Sequence, residues 1–194
     1  MRFVAEFDRA AIFMSMAAIL ILLYFGLAYP TFTYDYWVAF AFWTIGFFGS
    51  LFLGITKRTT ALSIPKLLTT AVFTAILLVI FIVINEVYAV AVEAQQVLIA
   101  EKLVSAAIGI SEELFFGVFL LGLLINLLSF PRFISILASS GVHTYYHVAR
   151  GGFDPLLLWV FFMSFTLART VYVYFWPRVS IILGAHGFWN FGVS

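Results

Sequence analysis

Five polar side chains in a chain otherwise dominated by hydrocarbon have the types and spacing to do chemistry: Glu112, Glu113, His147, His186 and Asn190. An ionisable group at bilayer depth costs roughly 2.5–3.5 kcal/mol on insertion scales, so each one is a functional candidate by default. Glu112 and Glu113 are adjacent in Gly109-Ile-Ser-Glu-Glu-Leu-Phe-Phe-Gly117. Successive helical residues point about 100° apart, so one carboxylate can face a catalytic cavity while its neighbour holds a partner behind it. His143 and His147 are four residues apart, as are His186 and Asn190, which puts each pair on one helix face. These units contain all three histidines of the chain. A lone intramembrane His or Asn often serves only as interhelical hydrogen-bond glue. Paired glutamates have a weaker structural reason, because like charges repel in a low dielectric.

Two chemistries suit this set. In one, a desolvated glutamate is the general base: it takes a proton from water while His and Asn donors stabilise the oxyanion formed on an amide carbonyl. In the other, His147, His186 and Glu112 bind zinc or iron, and the metal activates the water. The residue types do not separate the two. The spacing His-Glu-x-x-His, which argues strongly for zinc, is absent. The reading carried forward has no cofactor. Ser111 faintly resembles the serine of an intramembrane serine-protease loop, but it sits mid-helix without the usual following Gly.

The elements that must position these groups follow from composition. Of 194 residues, 64% are hydrophobic, 20% aromatic and only 10% charged. A soluble domain carries roughly 25% charge, so this surface is expected to meet lipid. That excludes a soluble enzyme and a disordered tail, and a net charge of +1 provides no basic field for nucleic acid. Without cysteine there is no disulfide framework, thiolate nucleophile or iron–sulfur site.

Apolar runs bounded by charge, Pro or polar clusters give seven candidate spans: about Ala10–Ala28, Tyr36–Ile55, Leu67–Val92, Leu103–Leu128, a shorter Phe133–Ala149, Pro155–Phe175, and Val179 to the C-terminus. Period-two alternation is missing, and lipid cannot satisfy an open sheet edge. The expectation is all-α: a polytopic transmembrane helical bundle of about seven spans, forming a single domain over residues 1–194. The first run is too long for a signal-peptide core and is read as a permanent span. Neither inverted repeats nor Pro-broken spans favour a transporter. A cytoplasmic N-terminus would collect seven basic residues on that side (Arg2, Arg9, Lys57, Arg58, Lys66, Arg132, Arg178) against Lys102 and Arg150 on the other, as the positive-inside rule prefers. Aromatics such as Phe42, Trp43, Phe47 and Phe48 read as lipid-facing packing or an interfacial belt. Glu86 is a possible partner for Arg169.

The order of these motifs resembles that of the CAAX protease and bacteriocin-processing family, whose best-known members are the type II CAAX prenyl endopeptidases. Glu112-Glu113-Leu-Phe-Phe-Gly117 resembles the family's Glu-Glu-x-x-x-Arg. Ser139-Ser140-Gly-Val-His143-Thr-Tyr-Tyr-His147 resembles its Phe-x-x-x-His, and His186-Gly-Phe-Trp-Asn190 its His-x-x-x-Asn. The resemblance covers about residues 103–194. It implies an intramembrane glutamate-type endopeptidase in a cell membrane, acting on peptide or prenylated protein substrates. Glu112 would be the general base, His147 its partner on the water, His186 and Asn190 the oxyanion hole, and Glu113 an orienting group. Two positions depart from the pattern. Gly117 stands where the family has Arg, a charge that Arg150 or Arg169 could supply from another helix, and His143 stands where Phe is usual. The alternatives are a non-catalytic membrane adaptor or immunity-type protein of the same fold, or a metal-dependent membrane hydrolase.

Overall fold

In hydrocarbon the backbone must satisfy its own hydrogen bonds, and long runs of Leu, Ile, Phe and Ala do so as helices. The computed structural model describes residues 3–28, 33–58, 99–151 and 154–193. Within them lie six helices. Helix α1 spans Arg9–Ala28 and α2 spans Thr33–Phe52. Helix α3 starts as Ile99–Glu112, widens into π-helical turns over Glu113–Leu120 and closes as an α-helix over Leu121–Asn126. Helix α4 spans Arg132–Gly151. Helix α5 spans Pro155–Thr170 and ends in π-helical turns at Val171–Phe175. Helix α6 spans Val179–Val193. Asp154 caps α5 by accepting from the Leu156 amide at 2.8 Å, and Pro155 takes the first position, where a missing N–H costs nothing.

The architecture is an all-α, membrane-type fold, but the count of seven spans is not supported. Among the described residues three helical stretches are long and apolar enough to cross a membrane: Arg9–Leu27, Glu101–Asn126 and Pro155–Phe175. Tyr36–Phe52 is apolar but shorter. The expected fifth span, α4, carries Ser135, Ser139, Ser140, His143, Thr144 and His147 along its length, too polar a sequence for a lipid-facing span. The expected seventh, α6, has 15 residues, about 22 Å of helix, and residues 179–187 are all buried in protein. Helicity at α4 and α6 is therefore as expected, while neither is among the stretches that support a span. The expected span Leu67–Val92, and with it Glu86, lies outside the described residues.

Two short strands also form. Ala5–Phe7 (β1) and Thr56–Arg58 (β2) pair in parallel, with Ala5 opposite Thr56 and Phe7 opposite Arg58. Three residues each are too few to show an alternating pattern. The pair fastens the start of α1 to the end of α2, and Glu6 continues the pairing to Arg178 just before α6. The aromatic expectation also needs correction. Trp43 is buried, its indole N–H donates to the Ser15 carbonyl at 2.8 Å, and Phe42 stacks on Phe115 at 4.7 Å. Phe48 alone of the four is largely exposed.

The core runs along α6. Val179, Ile181, Ile182 and Leu183 are fully buried against Leu114, Val118 and Leu121 of α3 and Ala11, Ala18 and Leu22 of α1. Over residues 179–187 this helix is buried all round, which places that stretch at the centre of the bundle. Gly109 permits the close approach of α6 to α3: a Cβ there would stand 2.5 Å from the Asn190 amide nitrogen and 3.2 Å from the His186 ring.

Candidate active site

Four helices meet at the two glutamates. Helix α3 supplies Glu112 and Glu113, α4 supplies His143 and His147, α5 supplies Arg169, and α6 supplies His186 and Asn190. The junction of α and π turns falls between the two carboxylates. An i→i+5 turn is wider than an α turn, so successive side chains diverge less than on an α-helix, and both carboxylates reach one cluster of imidazoles.

Glu112 is 1% exposed, and its Oε2 lies 3.4 Å from His147 Nε2, 3.6 Å from His143 Nε2 and 3.8 Å from His186 Nε2. These four atoms are buried and have no hydrogen-bond partner among the described residues. Polar atoms withheld from pairing in a low-dielectric interior are costly, and here they converge on one oxygen. Ring stacking holds the imidazoles in place. His143 is sandwiched between Phe165, at 3.8 Å and 8°, and Phe116, at 4.4 Å and 19°, while His147 stacks on Phe161 at 4.8 Å.

Glu113 faces a different set. Arg169 Nη2 lies 3.3 Å from its Oε2, and its Oε1 stands 3.3 Å from His186 Nδ1 and 3.4 Å from His143 Nδ1. Arg169 is fully buried; its Nη1 donates to Ser140 Oγ at 3.2 Å and its guanidinium lies over the Phe165 ring. Removing one member of a buried ion pair costs about 3–5 kcal/mol, because the survivor is left uncompensated. Gly117 explains how this arrangement fits. A Cβ at that position would overlap the Glu113 carboxylate and crowd Ile182. The missing side chain provides the space that Glu113 occupies, and the cation comes from Arg169, 56 residues further on. The counter-charge therefore comes from Arg169; Arg150 instead donates to the Tyr146 hydroxyl at 2.6 Å.

A cavity of about 380 Å³ opens on this cluster, with Glu112, His147, Asn190, Ser105, Arg150 and Trp189 in its wall. Glu113, His143, Arg169 and His186 lie behind that wall, each 2% exposed or less, whereas the His147 side chain is 22% exposed. Asn190 Nδ2 donates to the Ser105 carbonyl at 3.1 Å, which ties the C-terminal part of α6 to α3. The structure thus brings together all five residues singled out from sequence: Glu112, His147 and Asn190 on the cavity, Glu113 and His186 behind it. Ser111 directs its hydroxyl to the Ala107 carbonyl at 2.8 Å, within its own helix. Sequence reasoning did not find the clamp formed by Phe116 and Phe165. Their spacing carried a signal, since Phe116 follows Glu112 by four residues and Phe165 precedes Arg169 by four, each on the same helix face as its partner.

Among the described residues two sets have ligand atoms within 4.8 Å of one another, close enough to hold a metal ion: Glu112 with His147 and His186, and Glu113 with His143 and His186. The second set is unsuitable for a cation, because the Arg169 guanidinium already lies against two of its three ligands. The first carries no such charge, and two imidazoles with one carboxylate is a zinc-type donor set.

A bundle of membrane-type helices enclosing a Glu-Glu, His and His-x-x-x-Asn cluster defines a class of intramembrane protein with a buried polar site. The chain belongs to the Rce1-like type II CAAX prenyl endopeptidase family, which its residues 94–192 match, about half of the sequence and the part that carries every site residue above. No curated protein and no solved structure matches the chain.

Proposed function

We infer that the protein is an intramembrane glutamate-type endopeptidase of a cell membrane, cleaving a peptide bond near the C-terminus of lipid-embedded, prenylated substrates. The observation that carries this reading is the convergence of three imidazole nitrogens on one buried, unpartnered carboxylate oxygen at the wall of a cavity. Glu112 accepts a proton from water held against His147, and the resulting hydroxide adds to the amide carbonyl carbon. The carbonyl oxygen takes the negative charge and receives a hydrogen bond from Asn190, with His186 one turn earlier on the same face. Glu112 then returns the proton to the departing amine as the C–N bond breaks. The products are a new carboxylate and a free peptide amine. Glu113 orients the site from behind, held by Arg169.

The proximity of Glu112, His147 and His186 favours one second reading, a zinc-dependent hydrolase in which these three residues would hold the ion and the ion would supply Lewis-acid activation of water. The test is hydrolysis of a fluorogenic prenylated peptide by purified protein, beside Glu112→Gln and His147→Ala, with and without chelator. Turnover by the wild type alone, indifferent to chelator, is the expected result. Loss on chelation with recovery on zinc would move the mechanism to the metal. Silence in all wells would favour a non-catalytic adaptor of the same fold.

A further inference from the structure

Arg169 touches neither the cavity nor Glu112, yet it makes the shortest polar contact in the cluster, 2.8 Å from Nη2 to His143 Nδ1. A guanidinium has only N–H donors and no lone pair to offer. His143 Nδ1 must therefore be the acceptor, which leaves the ring proton on Nε2. That nitrogen is the one that faces Glu112 Oε2, 3.6 Å away. Of the two Nη2 protons, one goes to His143 Nδ1 and the other to the Glu113 carboxylate, while Nη1 serves Ser140. A flip of the ring within the Phe116–Phe165 sandwich would exchange Nδ1 for Cδ2 and set a C–H against the guanidinium, losing the 2.8 Å contact.

The geometry points to Arg169 as a positioning residue: it fixes His143 in the Nε2–H tautomer and so aims a proton donor at Glu112 from behind the cavity wall. The groups facing this ring are Glu112, Glu113, Arg169, and the His147 and His186 rings at 5.0 and 5.5 Å. The two glutamates do not fix the tautomer between them, since Glu112 faces Nε2 and Glu113 faces Nδ1, each able to accept from the nitrogen it meets. His143 is thereby a donor and not a metal ligand through Nε2. A neutral N–H dipole 3.6 Å from the Glu112 carboxylate favours its charge without the full charge of an imidazolium, which would hold back the base. The tautomer stands on its own geometry; only its catalytic consequence rests on the peptidase reading.

With three histidines in the chain, the protein labelled with ¹⁵N-histidine gives three ring signatures, assigned by His143→Phe and His147→Gln. Protonated and lone-pair ring nitrogens resonate far apart, so the wild-type spectrum alone decides the tautomer. The expected result is a neutral His143 with the proton on Nε2. A proton on Nδ1, or on both nitrogens, would overturn the proposal. Arg169→Lys, which retains a donor-only cation, is expected to keep the Nε2–H signature and part of the activity. Arg169→Met should give a tautomer mixture and lower kcat about 10–100-fold with KM unchanged, the scale seen when a partner orienting an active-site His is removed. An unchanged kcat in a folded Met variant would also overturn it. If the wild type shows the Nε2–H signature but hydrolyses nothing, the tautomer assignment stands and the peptidase reading fails.

Discussion

Around the N-terminal segment, Asp8, Asn126 and Glu6 each meet polar partners. Asp8 accepts from the Ala11 amide at 2.9 Å with one oxygen and from the Ser180 hydroxyl at 2.6 Å with the other. Asn126 holds Phe3 at both ends, accepting from its amide at 2.8 Å and donating to its carbonyl at 2.6 Å. Glu6 meets Arg178 at 3.4 Å. Around Glu112 the arrangement is the reverse: a carboxylate oxygen and three imidazole nitrogens gather within 3.4–3.8 Å with no hydrogen bond among them. The first cluster fastens β1, α1, α3 and α6 together. The second is held in place by stacked rings and by Arg169, and its polar atoms are directed at a cavity. In the first, polar side chains lower the free energy of the fold; in the second they are maintained at its expense, as at sites arranged for chemistry.

That contrast predicts opposite effects of substitution. Glu112→Gln should lower kcat by about 10²–10⁴-fold, the usual share of a general base, yet leave the thermal midpoint unchanged or higher, because a buried carboxylate becomes a neutral amide of similar shape. A matching fall in Tm would break the comparison. Asn190→Ala should lower kcat by about 10²–10³-fold, as loss of one oxyanion donor does, measured under saturating substrate. Gly109→Ala places a methyl 2.5 Å from the Asn190 amide and should cost about 1–3 kcal/mol by overpacking, with a parallel loss of activity as α6 is displaced. Asp8→Ala should cost about 0.5–2 kcal/mol through loss of the α1 cap, read by denaturant titration in detergent. The activity of the remaining folded protein should be unaltered.

Long apolar runs made the helices legible in sequence. The first run was expected at Ala10–Ala28 and forms Arg9–Ala28; the fifth was expected at Phe133–Ala149 and forms Arg132–Gly151. Which helices can span a membrane was not legible, because a short run buried by neighbours, such as α6, looks in composition like a run facing lipid. That the candidate residues would gather in one place was legible because charge is scarce in this chain and the His-x-x-x spacing projects them from one face. Their division into cavity and backing was not. It depends on the π-helical widening at Glu113, which no Pro announces, and on the Arg169–Glu113 pair, a contact between helices. The exchange of a motif arginine for Gly117 became intelligible only with the Glu113 carboxylate in the space that glycine leaves.

The most direct test of Glu112 as a base acting on water is a first-turnover reaction in H₂¹⁸O with a prenylated peptide, with both peptide products and the protein read by mass spectrometry. The account predicts one ¹⁸O in the newly formed carboxylate of the peptide and none in the fragment that carries Glu112. Label in Glu112, the mark of a covalent acyl intermediate, or no cleavage in the wild type, would contradict it.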